Sequence, residues 1–338
     1  MEGGARALII GAGYAGQRHA EALGEIGIPF DGPLSAREVA SDPSAIRDPR
    51  IHVVHVCSTN DLHARLVTAA LDAGKDVVCE KPLALDVPTA TELAALAERS
   101  GRLAVVAYNY RFHPMIVELS ARVATGALGA LHSVRGAFLQ DWLLLPTDDD
   151  WRVDASRGGA SRVVADIGAH WVDLVEVVTD RAVERVVAQV GQLHDRGTED
   201  HASLLLQLGG GLAATCVLSQ AAAGHRNDVE LSLDGSLASA TWRHERPDEL
   251  WIGQRGTARV ITRGGGELTS VDAARLGALP SEPNEARRNL LAAVYARLRG
   301  VERTPAAPLP TFADGLRHLR VAAAALESTR RRAWVDIA

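Results

Sequence analysis

The sequence has no run approaching the ~18 apolar residues of a membrane span, and its first residues lack the basic and apolar segments of a secretory signal. A cytoplasmic protein with no membrane partner is therefore expected. Cysteine is scarce. Cys57, Cys79 and Cys216 are odd in number, far apart and set in apolar, strand-like sequence, which excludes a disulfide framework and reads as buried reduced thiols. Basic charge is not in excess either, and a net charge of -6 argues against a nucleic-acid partner. Internal repeats and low-complexity tracts are missing, and the Pro-rich stretch Thr304 to Pro310 reads as a linker.

What is present is an ordinary soluble composition, 47% apolar and 23% charged, over 338 residues. Single cores seldom grow beyond ~250 residues, so this length predicts two domains. The chain opens with the apolar run Leu8, Ile9 and Ile10, followed by Gly11, Gly13 and Gly16 at the spacing G-x-G-x-x-G before an Ala-rich helical pattern. Such a strand, turn and helix can seat a pyrophosphate: the first glycine turns, the second admits the ligand, and the third packs helix on strand. The helix N-terminus then offers unpaired N–H groups to the phosphates.

Further strands are predicted at His52 to Cys57, Asp76 to Cys79 and Leu103 to Ala107, with helices at Leu62 to Ala73 and Val87 to Ser100. This alternation implies a parallel sheet covered on both faces. Ligands gather at the carboxyl ends of such strands, where Gly11 to Gly16, Ser58-Thr59-Asn60, Glu80-Lys81-Pro82 and Tyr108 to His113 fall. Between Leu23 and His52 the usual second strand, ending in an acidic ribose ligand, is abbreviated or absent. Ile28-Pro29-Phe30 is too short and proline-broken for a central strand. Asp31 stands near the expected offset for the ribose ligand, although Gly32 and Pro33 equally suit a turn aspartate.

Two constellations carry chemistry. Lys81 closes a strand, where an ammonium can stabilise a developing alkoxide; position alone leaves open a surface lysine paired with Glu80. Asp166 and His170 are four apart in a helical pattern and share a face. That pairing suits proton transfer by the imidazole with the carboxylate orienting it. A capping aspartate or half a metal site would give the same spacing. Beyond them, Val183 to His194, Asp200 to Leu208, Leu212 to Gln220, Asp228 to Leu233 and Leu237 to Arg243 predict an antiparallel meander. Glu199-Asp200-His201 and Trp242 to Arg246 read as solvated edges and turns. Pro283 to Arg299 and Phe312 to Ser328 read as helices.

Taken together, Gly11 to Gly16 with His19, Ser58 to His63, Ala73 to Leu83 with its Glu-Lys-Pro, Asn109 to Pro114, Gly158 to Asp173, Pro310 to Gly315 and Trp334 to Asp336 resemble the Gfo/Idh/MocA oxidoreductases. The resemblance implies a Rossmann-type α/β parallel-sheet domain over 1–113. It also implies an α+β substrate and oligomerisation domain over 114–338 with an open, mainly antiparallel sheet. In that family such proteins transfer a hydride between NAD or NADP and a secondary carbinol of a sugar- or cyclitol-like substrate, as homodimers or homotetramers. Lys81, Asp166 and His170 would be catalytic. Gly11, Gly13, Tyr14, Ala15, Gly16, Ser58, Thr59, Asn60, His63, Glu80, Lys81, Asn109 and Arg111 would hold the cofactor, with no metal. Two departures stand out: the abbreviated segment after Leu23, and a short stretch from Leu276 to Pro283 where relatives carry a Gly/His-rich substrate loop. An acid-base enzyme without net redox, or a non-catalytic binding subunit, are the alternatives on the same scaffold.

Overall fold

Val, Ile and Leu runs without polar alternation form strands buried on both faces, and such runs make the centre of the first sheet. The computed structural model describes residues 5–301 and 306–337. Its chain divides into two units, one comprising Met1–Asn109, Ser156–Ala160 and Glu282–Leu319, the other Tyr110–Ala155, Ser161–Ser281 and Arg320–Ala338. The expected linker begins at Thr304 and Pro305, which lie outside the described residues.

In the first unit β1 (Ala7–Ile10), α1 (Tyr14–Glu25), β2 (Phe30–Leu34), α2 (Ala36–Ser41), β3 (Val53–Val56), α3 (Asn60–Asp72), β4 (Asp76–Cys79), α4 (Val87–Ser100) and β5 (Ala104–Val106) follow one another. The strands form a parallel sheet in the order β2-β1-β3-β4-β5. The order reverses between β1 and β3, a switch point at which doubly wound sheets bind ligands. Local signals set the helix ends. Asp86 accepts from the Thr89 N–H at 2.8 Å to cap α4, and Gly101 ends it in the left-handed region.

The segment after Leu23 holds a strand that its sequence conceals. β2 runs from Phe30 through the Gly32-Pro33 pair and is followed by the six-residue α2. Proline is tolerated because β2 is the edge of the sheet, paired on one side only. The second unit is thus abbreviated, not absent. Asp31 is a strand residue and not a turn aspartate; it stands level with Leu8, well short of the carboxyl edge where Gly11 begins. Arg6 holds it with two hydrogen bonds, of 3.0 and 2.5 Å, which keep the Asp31 carboxyl below its ordinary value. Ser35, next after β2, is the residue level with the glycine turn and caps α2.

The remaining elements are α5 (Pro114–Ala124), β6 (Leu131–Leu139), α6 (Ala155–Gly158), α7 (Ala169–Thr179), β7 (Val183–Gly191), β8 (His201–Leu208), β9 (Leu212–Ser219), β10 (Asp228–Gly235), β11 (Ser239–Arg243), β12 (Glu249–Gln254), β13 (Thr257–Thr262), α8 (Val271–Gly277), α9 (Glu285–Leu298), α10 (Phe312–Arg331) and β14 (Val335–Asp336). Nine strands form a second sheet in the order β13-β12-β11-β10-β6-β9-β8-β7-β14. It is mainly antiparallel but no simple meander. β6 enters its middle, parallel to β9 and antiparallel to β10. Polar His132, Ser133 and Arg135 and the glycine at 136 hide β6 in the sequence. Gly136 is needed because a Cβ there would lie 2.5 Å from the indole nitrogen of Trp171, which donates to the Glu230 carbonyl at 2.9 Å. Through that contact α7 lies on the buried face of the sheet, its Val175 in one core with Phe138, Leu218 and Leu231. The opposite face stays open.

Candidate active site

The glycine turn is fixed by steric limits that this structure shows directly. Gly11 has φ +117°, and a Cβ on it would sit 2.2 Å from the Cys57 carbonyl; one on Gly16 would sit 1.8 Å from the Gly11 carbonyl. These two glycines hold β1, β3 and α1 against one another. Gly13 differs. A Cβ there would meet no atom within 4 Å, so the open space over Gly13 is room for a ligand. No side chain caps α1, whose first N–H groups face that space, with exposed Tyr14 and half-buried Ala15 beginning the helix. The residues present therefore fit a pyrophosphate.

Ser58, Thr59 and Asn60 continue the same edge after β3. Asn60 donates to the Gly158 carbonyl at 2.9 Å, and His63 spans the carbonyls of Pro82 at 2.8 Å and Ser58 at 3.2 Å. His63 is buried, which lowers its basicity and ties the loops after β3 and β4 together. Glu80 and Lys81 follow β4. Glu80 is buried, yet it is held ionised: burial pushes its carboxyl up, but Arg287 and the His19 hydrogen bond outweigh this and keep it well below the usual carboxylate range. The chain carries 34 arginines and only two lysines, Lys75 and Lys81. Lys75 is structural, its ammonium donating to the Asp48 and Ile51 carbonyls at 2.9 and 2.8 Å. Asn109 ends the first unit in a 3₁₀ turn, Asn109–Phe112.

Arg111, Asp166 and His170 belong to the second unit. Arg111 is buried in a bidentate ion pair with Asp173 of α7, its Nε donating to Oδ2 at 3.1 Å. A π-helical turn over Val164–Gly168 leads into α7, placing Asp166 in the turn and His170 in the first turn of the helix. Turns of this kind recur at functional sites. Asp166 does not cap α7; the N-cap is Gly168, without a side-chain bond. Instead Asp166 Oδ2 accepts from the Gln220 amide at 2.8 Å and lies 3.7 Å from Arg152 Nε. His170 meets the edge of Tyr110, ring centroids 5.1 Å apart, and the Tyr110 hydroxyl accepts from Asn227 at 2.7 Å.

Gln220 is oriented in turn by Arg162, whose Nη1 donates to its carbonyl oxygen at 3.0 Å. The Arg162 guanidinium also reaches Thr198 at 2.9 Å and Asp200 at 2.5 Å. Glu199 and Asp200 are therefore buried anchors, not the solvated turn expected of them; Glu199 accepts from Ser161 Oγ at 2.5 Å and the Arg162 N–H at 2.9 Å. Trp242, placed by sequence at a solvated edge, is likewise core. Charged residues read as surface when their partners lie far along the chain, and nothing near Arg162 signals Asp200. Because both members of that pair are buried, Arg162→Met leaves the Asp200 carboxylate with only Arg196, at 3.4 Å, and the Leu193 and His194 N–H groups, and is expected to cost about 2–4 kcal/mol of stability. Urea unfolding of the variant measures it; a loss below about 1 kcal/mol would contradict the assignment.

The three cysteines are free and buried, and burial raises each thiol well above its ordinary value, as read from their apolar settings. Among the described residues no helix is long and apolar enough to cross a membrane.

A glycine cradle at the switch point of a doubly wound parallel sheet defines the class of nucleotide-binding folds. Comparison with known proteins narrows this. Residues 33–108 match the oxidoreductase family with NAD-binding Rossmann fold, and residues 116–241 match the GFO/IDH/MocA C-terminal domain. Levoglucosan dehydrogenase of Pseudarthrobacter phenanthrenivorans is 27% identical over 87% of this chain and 82% of its own. An inositol dehydrogenase homolog from Azotobacter vinelandii, solved with NADH and myo-inositol, superposes with a TM-score of 0.85 at 26% identity, covering 98% of this chain and 97% of that one. A levoglucosan dehydrogenase in complex with NADH and levoglucosan gives 0.86 at 25% identity, covering 99% and 100%. The chain belongs to the GFO/IDH/MocA family of NAD-binding oxidoreductases.

Proposed function

We propose that the protein is an NAD(P)-dependent dehydrogenase of a sugar- or cyclitol-like substrate, acting in the cytoplasm at a secondary carbinol. The observation that carries this reading is Lys81, which follows β4 at the same carboxyl edge of the sheet as the glycine cradle, in a chain with 34 arginines and only one other lysine. A bound nicotinamide supplies or takes the hydride. The chain supplies the rest. Gly11, Gly13 and Gly16 with the first N–H groups of α1 hold the pyrophosphate, Tyr14, Ala15, Ser58, Thr59 and Asn60 line the nucleotide, and Asn109 and Arg111 serve the nicotinamide and substrate end. Lys81 donates to the reacting oxygen and steadies the negative charge that grows on it. His170 takes or returns the hydroxyl proton, and Asp166, aimed by Gln220, orients the diol.

The test is turnover with NAD and NADP over a polyol panel that includes myo-inositol and levoglucosan. Nicotinamide reduction with at least one member is expected; substrate conversion without a change in nicotinamide absorbance would sink the redox reading in favour of acid-base chemistry alone.

We further propose that the protein is a homodimer or homotetramer joined through the open face of the second sheet. Leu205 and Val217 stand exposed on it in neighbouring β8 and β9, and Trp251 and Val260 in neighbouring β12 and β13, with the paired charges of Arg135, Glu230 and Arg243 between the two patches; two apolar patches on one face favour association. Val217→Glu combined with Trp251→Glu is expected to leave a monomer by light scattering. An unchanged mass would reject this interface.

A further inference from the structure

A line of buried polar groups crosses the first unit beneath Lys81. Tyr295 of α9, His55 of β3, His19 of α1 and Glu80 after β4 are linked in sequence: Tyr295 Oη to His55 Nε2 at 2.9 Å, His55 Nδ1 to His19 Nδ1 at 2.8 Å, and His19 Nε2 to Glu80 Oε1 at 3.2 Å. Arg287 of α9 donates to the same Glu80 oxygen at 3.1 Å, while the Lys81 N–H donates to Glu80 Oε2 at 3.3 Å. The two histidines are wholly shielded from solvent.

The directions of these bonds follow from one end. Burial, together with the neighbouring His19 in the case of His55, keeps both imidazoles neutral near pH 7, so each has one N–H. An ionised Glu80 only accepts, which puts the His19 proton on Nε2. His19 Nδ1 must then accept from His55 Nδ1–H, and His55 Nε2 must accept from the Tyr295 hydroxyl. Every group is satisfied in one arrangement alone. The line stops at buried Tyr295, so it delivers no proton to solvent; what it produces is a carboxylate fixed in place. That carboxylate lies close enough to Lys81 for the lysine charge to act on it.

We infer that Arg287 and His19 are positioning residues that clamp the Glu80 carboxylate and thereby set the place of Lys81. This rests on the role assigned to Lys81 under Proposed function. Glu80 is then not a cofactor ligand: one oxygen accepts from His19 and Arg287, and the other faces the Lys81 backbone. Arg287 stands at the start of α9, held also by Asn284 at 3.1 Å, so a helix from late in the chain governs the residue after β4.

The scarcity of lysine makes this measurable. Supplying ¹³Cε-lysine during expression labels Lys75 and Lys81 alone in this chain, and NMR then reports on Lys81 with Lys75 as internal control. In Arg287→Met the Lys81 signal is expected to shift or split while Lys75 stays unmoved, and its response to added NADH is expected to fall at least about twofold. Arg287→Lys, which keeps a cation against Glu80, is expected to restore one wild-type-like signal; a merely structural defect would not be rescued in this way. If Arg287→Met does not fold, His19→Leu takes its place with the same expected displacement. An unchanged Lys81 signal and NADH response in the folded variant overturns the clamp. A wild-type Lys81 signal that ignores NADH instead overturns the role given to Lys81, and the variant comparison without NADH still decides the clamp.

Discussion

Lys81→Ala is expected to lower turnover by a factor of about 10²–10⁴, the usual worth of a positioned proton donor, while leaving NADH affinity within about threefold of wild type, under 1 kcal/mol. His170→Ala should behave alike. Lys81→Arg is the sharper variant. Arginine keeps the positive charge but cannot give up a proton near neutral pH, and its planar fork does not fit a site shaped for a point donor. In a chain with 34 arginines and two lysines, a need for charge alone would have been met by arginine. Lys81→Arg is therefore expected to be nearly as slow as Lys81→Ala. Steady-state kinetics beside a fluorescence titration with NADH separates the effects. Loss of NADH binding in the alanine variants would move both residues from chemistry to cofactor binding, and full activity in Lys81→Arg would reduce the lysine to a charge.

The second large effect separates two kinds of glycine. Gly16→Ala drives a Cβ to 1.8 Å from the Gly11 carbonyl oxygen, a backbone atom that cannot swing aside, so the α1 junction must shift. Both stability, by about 1–3 kcal/mol, and NADH affinity should fall. Gly13→Val adds its side chain to open space in the protein alone, where nothing lies within 4 Å of a Cβ. Its melting temperature should match wild type while NADH affinity drops about 100-fold or more, nearly 3 kcal/mol. Thermal melts with and without NADH check both. Equal ligand-induced stabilisation in Gly13→Val and wild type would mean that no pyrophosphate passes over this residue.

The first sheet was largely legible because its strands announce themselves: Leu8 to Ile10, Val53 to Val56 and Val77 to Cys79 are apolar without interruption and alternate with helical patterns. β2 was not, because a proline and two turn-forming residues outweigh the pattern when the strand's edge position is unknown. In the second sheet, β8 and β9 alternate cleanly and were foreseen. β6 was missed since its Gly136 exists to fit Trp171, a residue far along the chain. The candidate site divides in the same way. Lys81, Asp166 and His170 stand in local motifs, whereas Arg162, Gln220 and Arg287 act through partners that only folding supplies. A buried arginine set among small and apolar residues, as in Ala160 to Ala165, is the one local sign that Arg162 had a paired task.

The central claim is that a nicotinamide dinucleotide sits on the Gly11 to Gly16 turn. Calorimetric titration of the cofactor-stripped protein with NADH and NADPH, alongside Gly13→Val, tests it most directly. Micromolar binding of at least one of the two to the wild type, lost in the variant, is the expected result. No heat with either nucleotide, or binding that Gly13→Val leaves intact, would contradict the claim.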